Sequence, residues 1–259
     1  MTCLNLSEKS IHLWLAFPEE ITQPDLLALY QTWLNAEEHK QWQRFHFDKH
    51  RHQYLITRAL VRATLSRYAD LPPEAWRFTR NGYGKPEIMQ GQTALPLRFN
   101  LSHTDGLILC GVVLQHDLGV DVEYRERRNA TLDIAKHYFS KTENAALQQL
   151  PADQQKNRFF DYWTLKEAYI KARGIGLSLP LQQFSFDLSC AKAPTVHFDA
   201  ELNDNPVHWR FWQFQATPQH VAAVAVQAFS TKDFALVINK TVPAVTDSTL
   251  DLARLCAEP

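Results

Sequence analysis

Apolar residues recur along the chain with two periods, one near 2 and one near 3.6, and their alternation sets out the elements. Ile11–Phe17 reads as a strand. Pro24–Trp33 reads as a helix with Leu26, Leu27, Tyr30, Trp33 and Leu34 on one side. Asn35-Ala-Glu-Glu38 has a capping residue followed three places on by Glu, the mark of a helix start. A long helix is predicted from about His50 to Tyr68, with Tyr54, Leu55, Leu60, Val61 and Leu65 facing a core. Asn81–Pro86 is a loop, and Phe99–Leu101 and Leu107–Leu114 are strands about the polar turn 102–106. The same order then restarts. Leu118–Glu123 is a strand, Leu132–Tyr138 a helix, Ser140-Lys-Thr-Glu143 a second capping box and Phe159–Ala172 a second long helix. Strands follow at Ser185–Leu188, Val207–Gln215 and His220–Phe229.

The restart is an internal repeat of about 105–110 residues. Glu38 and Glu143 occupy the same place in two capping boxes. Tyr54–Ala63 lies over Trp163–Ala172, and Leu71–Phe78 over Leu179–Phe186. In this register Arg58 stands where the second copy has Glu167. The pattern predicts an α+β fold of two similar α/β halves: residues 1–115, residues 116–229 and a C-terminal extension, 230–259, with no counterpart.

Composition narrows the class. Hydrophobic residues make up 45% and charged residues 21% of the 259, which excludes a disordered or fibrous chain. The net charge of -1 provides no global attraction for nucleic acid or an anionic membrane, so an anionic ligand requires a local cluster. No run of 18 apolar residues is present, and Met1–Ser10 lacks the pattern of a signal peptide. The expectation is a cytoplasmic monomer in which Cys3, Cys110, Cys190 and Cys256 are reduced.

Candidate chemistry concentrates in the second half. In Leu118-Gly-Val-Asp-Val-Glu123, residues two apart share one face of a strand, so Asp121 and Glu123 project together. Two adjacent carboxylates suit a hard cation such as Mg²⁺, or else a solvated polar face. Glu167 and Lys171 are one helical turn apart, either a surface ion pair or a third acid beside a phosphate contact. Gly84-Lys-Pro86 presents one lysine, and Phe99-Asn-Leu-Ser-His103 ends a strand on small polar groups. No Gly-rich phosphate loop, HExxH or GxSxG occurs.

Taken together these segments resemble the surfactin-type 4'-phosphopantetheinyl transferases. The resemblance rests on Gly84-Lys-Pro86, Phe99-Asn-Leu-Ser-His103, Gly119-Val-Asp-Val-Glu123 and Trp163-Thr-Leu-Lys-Glu-Ala-Tyr-Ile-Lys171, in that order, and extends over most of residues 10–228. It implies two halves related by a pseudo-twofold axis. It also implies transfer of phosphopantetheine from coenzyme A to a serine of an apo carrier protein, with release of 3',5'-ADP. By the motif match Asp121, Glu123 and Glu167 bind Mg²⁺, and Glu167, directly or through a metal-bound water, is the candidate base for the serine proton. Lys171 and Lys166 contact phosphate, while Lys85, Ser102 and His103 bind the nucleotide end. The basic residue that relatives carry early in the first long helix corresponds to Gln53, leaving Arg51, His52 or Arg58 to take its part. Arg125, Arg127 and Arg128 are candidates for an acidic carrier. Two readings from other classes are a non-catalytic coenzyme A or carrier-binding module and a metal-dependent nuclease. The full set of acids and lysines weighs against the first and the balanced charge against the second.

Overall fold

The computed structural model of the protein describes residues 3–127, 132–189, 194–229, 234–251 and 255. Contacts divide the chain into two units. One takes in residues up to 80, 86–115 and 234–251; the other takes in 81–85 and the described residues from 116 to 229.

The first unit begins with β1 (Ser10–Ala16), α1 (Pro24–Thr32), α2 (Ala36–Gln43) and α3 (Asp48–Leu65). A short ribbon, β2 (Phe78–Arg80) and β3 (Pro86–Ile88), leads to the hairpin β4 (Leu97–Thr104) and β5 (Leu107–Leu114). β1 runs antiparallel to β5, with Trp14 opposite Cys110. Every residue of β5 is buried, which explains why Leu107-Ile-Leu-Cys-Gly-Val-Val-Leu114 shows no polar alternation. The inner face of α3 packs Leu55, Ile56, Leu60 and Val61 into this unit's core.

The second unit repeats the plan with β6 (Leu118–Tyr124), α4 (Leu132–Tyr138), α5 (Lys141–Gln149) and α6 (Ala152–Arg173). The ribbon β7 (Phe184–Asp187) and β8 (Thr195–Phe198) and the hairpin β9 (Trp209–Thr217) and β10 (His220–Gln227) follow. Its sheet has the order β6-β10-β9, which matches β1-β5-β4 of the first unit element for element. α6 starts at Ala152, seven residues before the apolar pattern begins, because residues 153–158 are polar and carry no apolar stripe. Pro151 at the N-cap and Asp153 in the first turn start it instead.

Internal partners correct the register of the repeat. Both capping boxes form, Asn35 with Glu38 and Ser140 with Glu143. Each capping glutamate then holds a fully buried base from the long helix. Arg62 grips Glu38 with two nitrogens at 2.6 and 3.2 Å, and Lys166 meets Glu143 at 2.8 Å. Each base also lies over a ribbon phenylalanine, Arg62 over Phe78 and Lys166 over Phe184. The long helices therefore align with Arg62 on Lys166, an offset of 104, so the counterpart of Glu167 is Ala63 and not Arg58.

The C-terminal segment belongs to the first unit. β11 (Ala235–Val242) pairs in parallel with β1, Leu13 opposite Ile238, and β12 (Thr246–Leu250) turns back on it. The result is a five-stranded sheet, β12-β11-β1-β5-β4. Side chains pin the hairpin in place: Arg67 donates to both carboxylate oxygens of Asp247 at 2.6 and 3.0 Å, and the Tyr30 hydroxyl donates to Pro243 O at 2.7 Å. The part of the chain expected to be a separate extension is thus two strands of the sheet that starts the molecule.

Candidate active site

The site is set by the closeness of β6 to α6. Gly119 permits it: a Cβ there would lie well inside van der Waals distance of the backbone at Ala168 O and Ala172 N. Gly119→Ala should therefore force strand and helix apart and lower stability by about 3 kcal/mol, read as a fall in denaturation midpoint; an unchanged midpoint would contradict this packing.

With the backbones this close, side chains of β6 reach those of α6. Asp121 is buried, and its Oδ1 accepts from Lys171 Nζ at 2.6 Å. Glu123, on the same strand face, accepts a hydrogen bond from the side chain of Trp163 and lies 3.5 Å from Arg127. Burial, reinforced by the charge of Asp121, pushes the Glu123 carboxyl up to about 7. The same two causes in the same order push Glu167 up to about 6, against the opposing pull of Lys171. Both glutamates thus share the field of Asp121 in a poorly hydrated place.

Lys85 stands close by. Its ammonium donates to Leu118 O and Ala172 O, each at 3.2 Å, clipping the start of β6 to the end of α6. Asn81 adds a bond from its amide to Gly174 O at 2.8 Å, where Gly174 closes α6 in the left-handed conformation at φ 67°.

Lys166, expected at a phosphate, is elsewhere. It is fully buried and donates to Leu181 O at 2.8 Å and Phe184 O at 2.6 Å beside its bond to Glu143. Its neighbour in sequence, Glu167, faces the site, and one residue of helix is about 100° of rotation; Lys166 therefore points into the core. This lysine is a structural cation.

The remaining expected coenzyme contacts lie in the first unit, and the described arginines expected at the carrier lie in the second. Ser102 is buried and His103 exposed, since neighbours on β4 point to opposite faces. Arg58 lies over the Tyr54 ring, 3.9 Å from Glu38. Gln53 donates to Thr104 O at 2.5 Å, so it supports the turn after His103 by a neutral amide. Arg51 and His52 are bonded to Phe45 O and Pro18 O. Arg125 is tied to Asp161 at 2.7 Å, and Arg128 lies outside the described residues, as do Cys190 and Cys256.

The residues suit a hard divalent cation in kind: three carboxylates, all oxygen donors, buried or nearly so, with both glutamates repelled by the charge of Asp121. Among the described residues no three acid, histidine or cysteine side chains already form a closed metal cluster; the ammonium of Lys171 provides the positive charge at Asp121. Trp163 is the contributor the sequence reading did not single out, although it opens the decisive motif.

Residues 117–225 match the 4'-phosphopantetheinyl transferase superfamily, and residues 22–112 match the family described as 4'-phosphopantetheinyl transferase, N-terminal. The chain is 33% identical over 226 residues to the 4'-phosphopantetheinyl transferase HetI of Nostoc sp., covering 87% of this chain and 91% of that protein. It belongs to the 4'-phosphopantetheinyl transferase superfamily. A 4'-phosphopantetheinyl transferase of Bacillus subtilis is 38% identical over 172 residues, 66% of this chain and 72% of that protein. The transferase Sfp of Bacillus subtilis strain 168 is 35% identical over 159 residues, 61% of this chain and 68% of that one. The superfamily match begins one residue before β6 and ends within β10, so it takes in Asp121, Glu123, Glu167 and Lys171 together. No described helix is long and apolar enough to cross a membrane.

The raised carboxyls have a consequence for the transferase without metal. A carboxyl whose folded pKa lies above its unfolded value binds its proton more tightly in the folded chain. The stability it contributes is full below the ordinary value of 4.5 and is lost as pH rises through about 6 for Glu167 and about 7 for Glu123. In chelator, the melting temperature should fall between pH 5 and pH 8. Added Mg²⁺ should raise it more at pH 8 than at pH 5; an equal rise at both would contradict binding to these acids.

Proposed function

We propose that the protein transfers 4'-phosphopantetheine from coenzyme A to a serine hydroxyl of an apo carrier protein and releases 3',5'-ADP. The observation that carries this reading is the set Asp121, Glu123, Glu167 and Lys171, brought together by β6 and α6 in a chain of this superfamily. Asp121, Glu123 and Glu167 would hold Mg²⁺, which supplies charge neutralisation at the pyrophosphate. Glu167, directly or through a metal-bound water, would take the proton of the attacking serine. Lys171 is placed to exchange Asp121 for a phosphate oxygen and to offset charge on the departing 3',5'-ADP. Lys85, Ser102, His103 and Arg58 bind the coenzyme, and Lys85 does so from its clip between β6 and α6. Arg125 and Arg127 meet the carrier's acidic surface. The reading keeps the enzyme cytoplasmic and monomeric; Cys3 and Cys110 are both free thiols.

The test is to incubate the protein with Mg²⁺, coenzyme A and a panel of apo acyl, polyketide and peptidyl carriers, and to weigh each carrier. One phosphopantetheine added to at least one carrier is the expected result. No mass gain on any would overturn the reading, and coenzyme A binding without transfer would favour the non-catalytic module.

A further inference from the structure

We propose that Asp204 is a positioning residue for this reaction, holding the last turns of α6 from the face opposite Glu167 and Lys171. The inference rests on the transferase reading above. At about 100° per residue, Lys171 lies about 40° from Glu167 around the helix, whereas Tyr169 and Arg173 lie about 200° and 240° away. These two side chains converge on one carboxylate. Asp204 Oδ2 accepts from the Tyr169 hydroxyl at 2.6 Å and from Arg173 Nη1 at 2.5 Å, and Arg173 also donates to the Tyr169 oxygen at 2.9 Å. Asp204 Oδ1 accepts from the Trp209 indole at 3.0 Å and from the backbone N–H of Asn205 at 2.7 Å.

One buried side chain thus joins α6 to the first residue of β9. The partners of β9 matter here. β9 pairs with β10, and β10 pairs with β6, with Ala223 opposite Asp121 and Val221 opposite Glu123. Asp204 therefore ties the helix bearing Glu167 and Lys171 to the sheet bearing the other two acids.

Apolar packing cannot do this alone. Tyr169 is fully buried among Phe184, Phe198 and Trp209, but burial of apolar surface is non-directional and does not by itself fix the rotation of this face of the helix. Hydrogen bonds to a fixed carboxylate are directional and set the rotation. A roll that moved Lys171 by an ångström from Asp121 would separate the acid–lysine set while leaving the fold in place.

The experiment compares wild type, Asp204→Ala, Asp204→Asn, Tyr169→Phe and the double variant Asp204→Asn with Tyr169→Phe. Each is assayed with coenzyme A, Mg²⁺ and an apo carrier, below the melting temperature of the weakest, with rates expressed per folded molecule. Asp204→Ala should lower kcat by about 10- to 100-fold, with KM for both substrates within about twofold of wild type. Asp204→Asn, which keeps an acceptor, should recover part of the loss. Tyr169→Phe, which removes one oxygen from a core left intact, should still lower kcat, and its effect should not add to that of Asp204→Asn. Folded Asp204→Ala with wild-type kcat and only a lower melting temperature, or a change confined to KM, would overturn the proposal while leaving the transferase reading standing. Wild-type protein inactive on every carrier would overturn both.

Discussion

Glu167→Gln should abolish transfer, with kcat falling by about 10²- to 10⁴-fold, and should make the protein more stable at pH 8. The two effects share a cause. The carboxylate sits in a poorly hydrated place within the field of Asp121, and both conditions disfavour its charge. Glutamine has the same shape and no charge, so it removes the base and the repulsion together. The gain in stability is about 1 kcal/mol at pH 8 and vanishes near pH 4.5, where the native side chain already carries its proton. Carrier mass spectrometry reads the first effect, and paired melting curves at the two pH values read the second. Near wild-type turnover by this variant would remove Glu167 from the chemistry, whatever the fate of the family assignment.

Glu143→Ala should cost about 3–5 kcal/mol, because it leaves the ammonium of Lys166 buried without its counter-charge. Glu143 does three things at once. Its Oε2 accepts the Ser140 backbone N–H at 2.9 Å and faces Lys166 at 2.8 Å, while its Oε1 accepts the Phe186 N–H at 3.0 Å. Removing it unravels the start of α5, loosens β7 and strands the lysine. Burial already draws the Lys166 pKa downward against the pull of Glu143, so in the variant the lysine sheds its proton. A double variant, Glu143→Gln with Lys166→Met, keeps an acceptor at the cap and removes the charge. It should regain most of the stability and retain transfer, since Lys166 touches no substrate. A double variant that folds but has lost activity would return Lys166 to the phosphates.

Much of this architecture could be read from local signals. Capping boxes work within four residues, so Asn35 and Ser140 mark α2 and α5 correctly. The alternation of Leu118–Glu123 places Asp121 and Glu123 on one face, because a strand's period is a property of its own backbone. What was hidden depends on partners far along the chain. The partner of Lys166 is a capping glutamate 23 residues earlier, and the motif alone cannot distinguish a buried lysine from one at a phosphate. The register of the repeat fails for the same reason: similarity of side chains aligns Tyr54 with Trp163, whereas buried ion pairs align Arg62 with Lys166. The bond from Trp163 to Glu123 and the convergence of Tyr169 and Arg173 on Asp204 are likewise products of tertiary packing.

The pairing of β11 with β1 has a consequence for the order of assembly. Apart from residues 81–85, the second unit is drawn from the stretch that follows residue 115 of the first, so its sheet of β6, β10 and β9 is complete once residue 227 has been made. The sheet that begins at Ser10 must wait for Ala235–Leu250 to pair along β1. During synthesis from the N-terminus, the half translated first is the half finished last. Until then β1 presents an open edge to solvent, with the aggregation hazard that an unpaired strand carries.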